Sequence, residues 1–340
     1  MKKQHLLGID IGATNLHVGL VPFPTKGTDL AEYEEPIDVA HGSEGIINQI
    51  HRVVERLANR QDIPLESIAS IGVGSTGPLD VGTLKHPTNL PFEEVPIVEP
   101  LKVRYQVPCE MIGDCHAAVL GEVYFGVGKG QNRDNLNLGF VNIGSGLGVG
   151  IYSSGRLLLG KDCNAGEIGH IPLVTNGLML KCNCGNYGCA EIYCSGLGIA
   201  KHGKIQLINE NLDSELYTLA RAKKARISDS DTWTYQDFED FIDAELVCQA
   251  ARQGVPLAER VLKSAIYYGG LVLSIIANTF DPDVITIGGT VAIEAQDLLL
   301  DGFRNEMVKH LRVREPNIQV TPLGRLAVLY GAAALAIEQL

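Results

Sequence analysis

Residues 6–21 read Leu6-Leu7-Gly8-Ile9-Asp10-Ile11-Gly12-Ala13-Thr14-Asn15-Leu16-His17-Val18-Gly19-Leu20-Val21. Two apolar runs, 6–11 and 16–21, flank a short glycine-bearing turn, which predicts a tight β-hairpin. Small residues in such a turn let backbone N–H groups approach an anion closely. Thr14 adds a hydroxyl, and Asp10 a carboxylate suited to a Mg²⁺ ion that accompanies a polyphosphate. A plain hairpin whose Asp bonds its own turn would use the same residues.

A second stretch repeats the theme. Asn142-Ile143-Gly144-Ser145-Gly146-Leu147-Gly148-Val149-Gly150 lies between strand-like runs at 136–143 and 149–152. The dinucleotide fingerprint needs a helix after its glycines, whereas strand follows here, and no Walker lysine is present. A hairpin-type phosphate loop fits better, with a simple Gly-rich hairpin as the alternative. Between the two hairpins, Ile46, Ile47, Ile50, Val53, Val54 and Leu57 make a helical stripe that Ser43 is placed to cap. Residues 68–73 and 107–112 read as strands. The first ends in the turn Ser75-Thr76-Gly77-Pro78, and the second runs into Gly113-Asp114 and a helix over 115–125. An Asp at a helix start is ordinarily an N-cap.

Further on, the pattern predicts a helix from about Ser195, a long apolar helix over 257–280, a strand over 284–287 ending in Gly288-Gly289, and a last strand and helix at 318–321 and 326–339. Residues 205–242 read as a surface excursion, with Arg221, Lys223, Lys224 and Arg226 on a solvated helix face. Strands alternate with helices in both halves, which predicts α/β layers. A strand–glycine turn–strand unit near the start of each half points to two related α/β domains with a cleft between them.

Bulk properties agree. The chain has 340 residues, which at roughly 150 residues per domain predicts two domains. With 45% hydrophobic and 20% charged residues it has an ordinary globular composition. A net charge of −12 argues against DNA, RNA or an anionic membrane as the main partner, since those need a basic face. One nucleotide needs only a local pocket. No signal-peptide pattern opens the chain, and the longest apolar run, about 271–280, is broken by Ser274 and Asn278. A cytoplasmic protein is expected.

Three of the eight cysteines crowd into the string Cys182-Asn183-Cys184-Gly185-Asn186-Tyr187-Gly188-Cys189-Ala190-Glu191, eleven residues after Glu167-Ile168-Gly169-His170. Three thiolates and one imidazole make a closed tetrahedral set for structural zinc. No ligand position remains for water, so such a zinc would fix a loop rather than hydrolyse anything. Glu167 and Glu191 flank the set, and carboxylates of fixed geometry suit hydroxyl-rich ligands.

Taken together these motifs resemble the ROK family (repressors, open reading frames and kinases) of the actin/hexokinase/Hsp70 superfamily, over essentially the whole chain. The family pattern Glu-x-Gly-His, spacer, Cys-x-Cys-Gly-x-x-Gly-Cys-x-Glu stands complete from Glu167 to Glu191, and Asp281-Pro282-Asp283-Val284-Ile285-Thr286-Ile287-Gly288-Gly289 falls in the family's order. The resemblance implies two actin-like (ribonuclease H-like) α/β domains: a small one of residues 1–115 plus about 323–340, and a large one of 116–322 carrying the zinc loop. It implies ATP-dependent phosphorylation of a hexose, with Asp114 as general base. Asp10, Gly12 and Thr14 would face ATP and Mg²⁺, Gly144, Ser145 and Gly146 would cradle phosphates, and Gly288 and Gly289 would border adenosine. Gly77, Asn89, Asp114, Glu167, His170 and Glu191 would contact the sugar, with His170, Cys182, Cys184 and Cys189 on zinc. A homodimer or homotetramer is implied as well.

Two departures from the family bear on substrate. Gly113 stands where the family has Asn, which removes one side-chain contact to the sugar. Allose kinases of the family share that lack, and 169–173 with Cys194-Ser195-Gly196 look like theirs. Ala13 replaces the usual second glycine of the first loop. The competing readings are a catalytically inactive sugar-binding ROK protein, a fructokinase or N-acetylmannosamine kinase, and a sugar-responsive repressor. The last would carry a winged helix ahead of a loop that here begins at residue 8.

Overall fold

Two five-stranded sheets carry the architecture of the computed structural model, and both run in the same order. Residues 4–12, 14–24, 29–77, 79–85, 91–177, 179–210, 212–226 and 232–340 are described. In the first sheet β1 (His5–Ile11), β2 (Asn15–Pro22) and β3 (Ala31–Pro36) form an antiparallel meander. Helix α1 (Gly42–Arg60) leads to β4 (Ile68–Ser75), parallel to β1. A small sheet of β5 (Leu79–Asp80), β6 (Thr83–Lys85) and β7 (Glu94–Pro96) follows, then α2 (Val98–Tyr105) and β8 (Cys109–Gly113), parallel to β4. The order is β3-β2-β1-β4-β8. After α3 (Asp114–Tyr124) the plan repeats with β9 (Asn137–Ile143), β10 (Leu147–Ser153) and β11 (Arg156–Leu157). Helices α4 (Glu191–Cys194), α5 (Gly196–Asn209), α6 (Glu215–Ala225), α7 (Tyr235–Phe241), α8 (Ala244–Arg252) and α9 (Pro256–Phe280) come next. The chain ends with β12 (Val284–Gly288), α10 (Thr290–Glu294), α11 (Gln296–Val308), β13 (Asn317–Val320) and α12 (Ala327–Glu338). The second sheet runs β11-β10-β9-β12-β13.

The chain packs as two units: Met1–Phe140 with Gly150–Gly166 and Thr321–Leu340, and Val141–Val149 with Glu167–Val320. In the first, Leu7, Ile9 and Ile11 of β1 share one core with Ile46, Ile50, Val53, Val54 and Leu57 of α1. Alternation sends Gly8 and Asp10 to the opposite face, where α12 lies. The approach there is close: a Cβ on Gly72 would fall 1.9 Å from Ala332 O, and one on Gly331 would fall 1.7 Å from Ala117 O of α3. That α3–α12 contact moves the expected boundary. Residues 116–140 stay with the first unit rather than opening the second, because their helix is packed on the C-terminal one, and the chain returns at Thr321.

In the second unit α9 packs against α4, α5, α8 and α11. It is long and apolar enough by composition to cross a membrane, but 56% of its most apolar window is buried inside the protein, as befits a core helix.

Two local expectations change, at Ser43 and at Lys224, and the one at Ser195 holds. Ser43 does not cap α1: the helix opens at Gly42 behind His41, with no side-chain cap bond. Ser195 does cap α5, accepting from Gly198 N. The polar stretch 205–242 folds into α6 and α7, and Lys224 is not on a solvated face. It is 7% exposed, with its Nζ 2.9 Å from Asp237 Oδ2 and over the Trp233 ring. A lysine stem covers apolar surface well when its ammonium finds a partner.

Candidate functional site

The carboxyl ends of three parallel strands in the first unit gather the N-terminal motifs. Ile11 of β1, Ser75 of β4 and Gly113 of β8 stand in one row of the sheet, and Asp10, Gly74 and Ile112 in the row behind. Ligands of open α/β sheets bind beyond such strand ends. The β1–β2 turn is tight, with Gly12 N donating to Asn15 O at 3.0 Å. The turn after β4 adjoins it: Ser75 Oγ donates to Ile11 O at 3.1 Å, and Gly77 takes φ +99. Asp114 begins α3, with Gly113 at the cap position, and its Oδ1 accepts from Cys115 N at 2.7 Å.

Asp10 and Asp114 sense one another. Part of the Asp10 surface reaches solvent, yet protein surrounds its carboxyl and pushes it up to about 8. Desolvation is the first cause, then the negative charges of Asp114 and Glu34. A site where carboxylates resist ionising together is one a divalent cation would fit. Glu34 was not legible as a member. It comes from β3, opposite His17, where its Oε1 accepts from Asn15 Nδ2 at 2.6 Å.

A side chain at position 113 would meet His116, because a Cβ there lies 3.0 Å from His116 Nδ1. Asn89 and Ala13 lie outside the described residues, so the expectations placed on them have no structural counterpart. Thr14 is exposed at the hairpin tip.

In the second unit the glycine loop, the zinc-type loop and the end of β12 share one neighbourhood. Gly144 N donates to Gly146 O at 3.1 Å, closing the β9–β10 turn. Gly289 follows β12 at φ +90, and a Cβ there would fall 2.4 Å from Ile143 C, so only glycine fits. Gly169 backs onto Leu147, with a Cβ position 2.3 Å from Leu147 O. Glu191 opens α4, and its Oε2 accepts from Leu147 N at 3.0 Å.

His170, Cys182, Cys184 and Cys189 bring their ligand atoms within 4.8 Å of one another. Cys184 Sγ is 3.7 Å from Cys189 Sγ, and Cys182 Sγ is 3.8 Å from His170 Nδ1. A tetrahedron with metal–sulfur bonds of about 2.3 Å has edges of about 3.8 Å, so the donor set and its spacing fit zinc. The fold explains the convergence. Cys182 N donates to Asn186 O at 2.8 Å and Gly185 N to Cys182 O at 3.0 Å, which turns the chain back on itself. Gly188, at φ +79, presses on Val174 O, 2.0 Å from where a Cβ would be. Burial, first among its causes, pushes the Cys182 thiol up to about 12; binding a metal is what would take its proton at neutral pH. His170 turns Nδ1 to the thiols and Nε2 toward Glu167 Oε2, 3.6 Å away, too far for a hydrogen bond. Glu167 is exposed. Of the remaining cysteines, Cys109, Cys115, Cys194 and Cys248 are buried.

Comparisons with known proteins bear on the family. The ROK family model matches residues 6–339. A glucokinase of Streptomyces coelicolor is 30% identical over 338 residues, 98% of this chain and 97% of its own length. A putative xylose repressor of Caldicellulosiruptor sp. is 25% identical over 98% of this chain and 78% of its own. Among solved structures, a ROK family glucokinase from Streptomyces griseus in complex with glucose and AMPPNP superposes with a TM-score of 0.76 at 26% identity, covering 98% of this chain and 99% of that one. The match spans both repeats of the five-stranded sheet and the Glu167–Glu191 pattern, and the chain belongs to the ROK family.

Proposed function

We propose that this ROK-family sugar kinase transfers the γ-phosphoryl group of ATP to a hexose, at the 6-hydroxyl of an aldohexose such as glucose, mannose or allose. The observation that carries the reading is the pair of carboxyl groups, Asp10 and Asp114, at the carboxyl ends of parallel strands in one sheet. Phosphoryl transfer asks for two acidic groups of different duty, one for the metal of the nucleotide and one for the proton of the acceptor. Asp10, crowded by Asp114 and Glu34, is the cation's partner. Mg²⁺ there would neutralise charge on the phosphates. Asp114 takes the proton of the attacking hydroxyl; that oxygen bonds to the γ-phosphorus, and the bond to the ADP oxygen breaks.

On the second unit Gly144, Ser145 and Gly146 offer backbone donors to the phosphates, and Gly288 and Gly289 border adenosine. Glu167, His170 and Glu191 take sugar hydroxyls. Zinc on His170, Cys182, Cys184 and Cys189 would fix the loop that bears them. With Nδ1 turned to the thiols, His170 keeps Nε2 for a hydroxyl, and a ring held at one nitrogen is oriented at the other. The Streptomyces griseus relative, solved in complex with glucose and AMPPNP, supports the same ligand pair here. Gly77 and Asn89 belong to the sugar side in this reading.

The test is ADP release from Mg-ATP across glucose, mannose, allose, fructose, N-acetylglucosamine and N-acetylmannosamine. Strong turnover of an aldohexose is expected. Turnover confined to fructose or N-acetylmannosamine would replace the substrate, and silence across the panel from folded, zinc-loaded protein would sink the kinase reading.

A further inference from the structure

The glycine loop is held from behind by the segment that follows the last cysteine of the zinc-type set. Gly196 N donates to Gly144 O at 2.8 Å, and Leu197 N donates to Ser145 O at 3.1 Å. A trans peptide points its C=O and its N–H in opposite directions. With both carbonyls turned into the α4–α5 junction, the N–H groups of Ser145 and Gly146 point away from it. The next N–H, that of Leu147, is taken by Glu191 Oε2 at 3.0 Å. The other oxygen of the same carboxylate, Oε1, lies 3.4 Å from Cys182 Sγ. Gly146 leaves room for this, since a Cβ there would come 2.8 Å from Glu191 Oε2. One carboxylate thus touches the zinc-type cluster with one oxygen and the glycine loop with the other.

We propose that Glu191 is a positioning residue for the phosphate donor: its bond to Leu147 N–H holds the glycine loop in the form that presents the Ser145 and Gly146 N–H groups. The inference rests on the kinase reading in taking the loop's ligand to be a nucleotide polyphosphate. It differs from a sugar-contact role for Glu191 in one measurable way. Losing the carboxylate weakens nucleotide binding even when no sugar is present.

The experiment is calorimetric titration of Mg-AMPPNP, without sugar, into zinc-loaded wild type, Glu191→Ala and Glu191→Gln, with hydrogen exchange of the Leu147 amide measured on the same samples. Loss of a charged acceptor that orders a loop is expected to weaken AMPPNP by about tenfold in Glu191→Ala. Leu147 exchange speeds up in parallel. In Glu191→Gln the amide oxygen still accepts from Leu147 N–H, so AMPPNP affinity and exchange stay within about twofold of wild type. Should Glu191→Ala fail to fold, Glu191→Met fills the same space without an acceptor for Leu147 N–H and is expected to weaken AMPPNP likewise. AMPPNP affinity and Leu147 exchange both unchanged in Glu191→Ala, with only sugar binding lost, would overturn the proposal and leave the kinase reading intact. Wild type that binds AMPPNP but phosphorylates no hexose would do the reverse.

Discussion

Asp10→Asn, in protein stripped of metal ions, is expected to stabilise the fold at alkaline pH and to do nothing at acid pH. Crowding by protein and by Asp114 and Glu34 moves the Asp10 carboxyl from its ordinary 3.8 to about 8. The folded chain therefore keeps a proton that the unfolded chain has already released, and stability falls as pH rises through that window. At about 1.36 kcal/mol per unit the upper limit is ~5–6 kcal/mol. Because part of Asp10 reaches solvent, screening should leave about 2–3 kcal/mol. The neutral amide carries no such penalty. Urea denaturation in chelator should show the variant about 2–3 kcal/mol more stable than wild type at pH 8.5, converging with it near pH 4. Mg²⁺ should then stabilise wild type, by an amount growing with its concentration, and leave the variant unmoved. A variant no more stable than wild type at pH 8.5, or a difference that ignores pH, would refute the argument that these carboxyl groups are pressed together.

Other perturbations read other parts of the molecule. Asp114→Ala should abolish ADP release while leaving sugar affinity within about tenfold, because a general base acts mainly in the transition state; near-normal kcat would remove Asp114 from that role. Cys184→Ser should lower zinc content, measured by metal analysis, together with sugar affinity, whereas full zinc occupancy with intact binding would show the four-ligand set is not a zinc site. Gly331→Val should destabilise the first unit by about 3 kcal/mol or more, since its side chain must displace the Ala117 carbonyl; a melting temperature within a degree of wild type would contradict the α3–α12 contact.

Long, strongly patterned elements are legible in the sequence. β1, β2, β4, β9 and β10 announce themselves by apolar runs around glycine turns, and α1 and α9 by helical stripes, because burial on one face imposes a period on the chain. The Cys182–Cys189 string was equally plain, since ligands of one ion must be close and short spacings with glycine provide that locally. Elements without such a signature were missed. Strand β3 (Ala-Glu-Tyr-Glu-Glu-Pro) lies at a sheet edge and alternates between partly buried and exposed residues, so it offers no apolar run. Helices α6 and α7 carry the composition of solvated surface, yet Lys224 folds against Asp237 and Trp233.

Local spacing and periodicity along the chain carry the alternating α/β plan and the crowding of Cys182, Cys184 and Cys189, while the family shows in the resemblance of the motifs to those of known proteins. How those pieces act on one another is set by packing. The raised Asp10 carboxyl depends on Asp114 and Glu34 arriving from the start of α3 and from β3. The extent of the first unit depends on Gly331 lying against Ala117. The bond between Glu191 and Leu147 joins residues 44 positions apart. Electrostatic and hydrogen-bond energies depend on distance in space, and distance in space between remote residues is set by how the sheets and helices pack, which no spacing along the chain records.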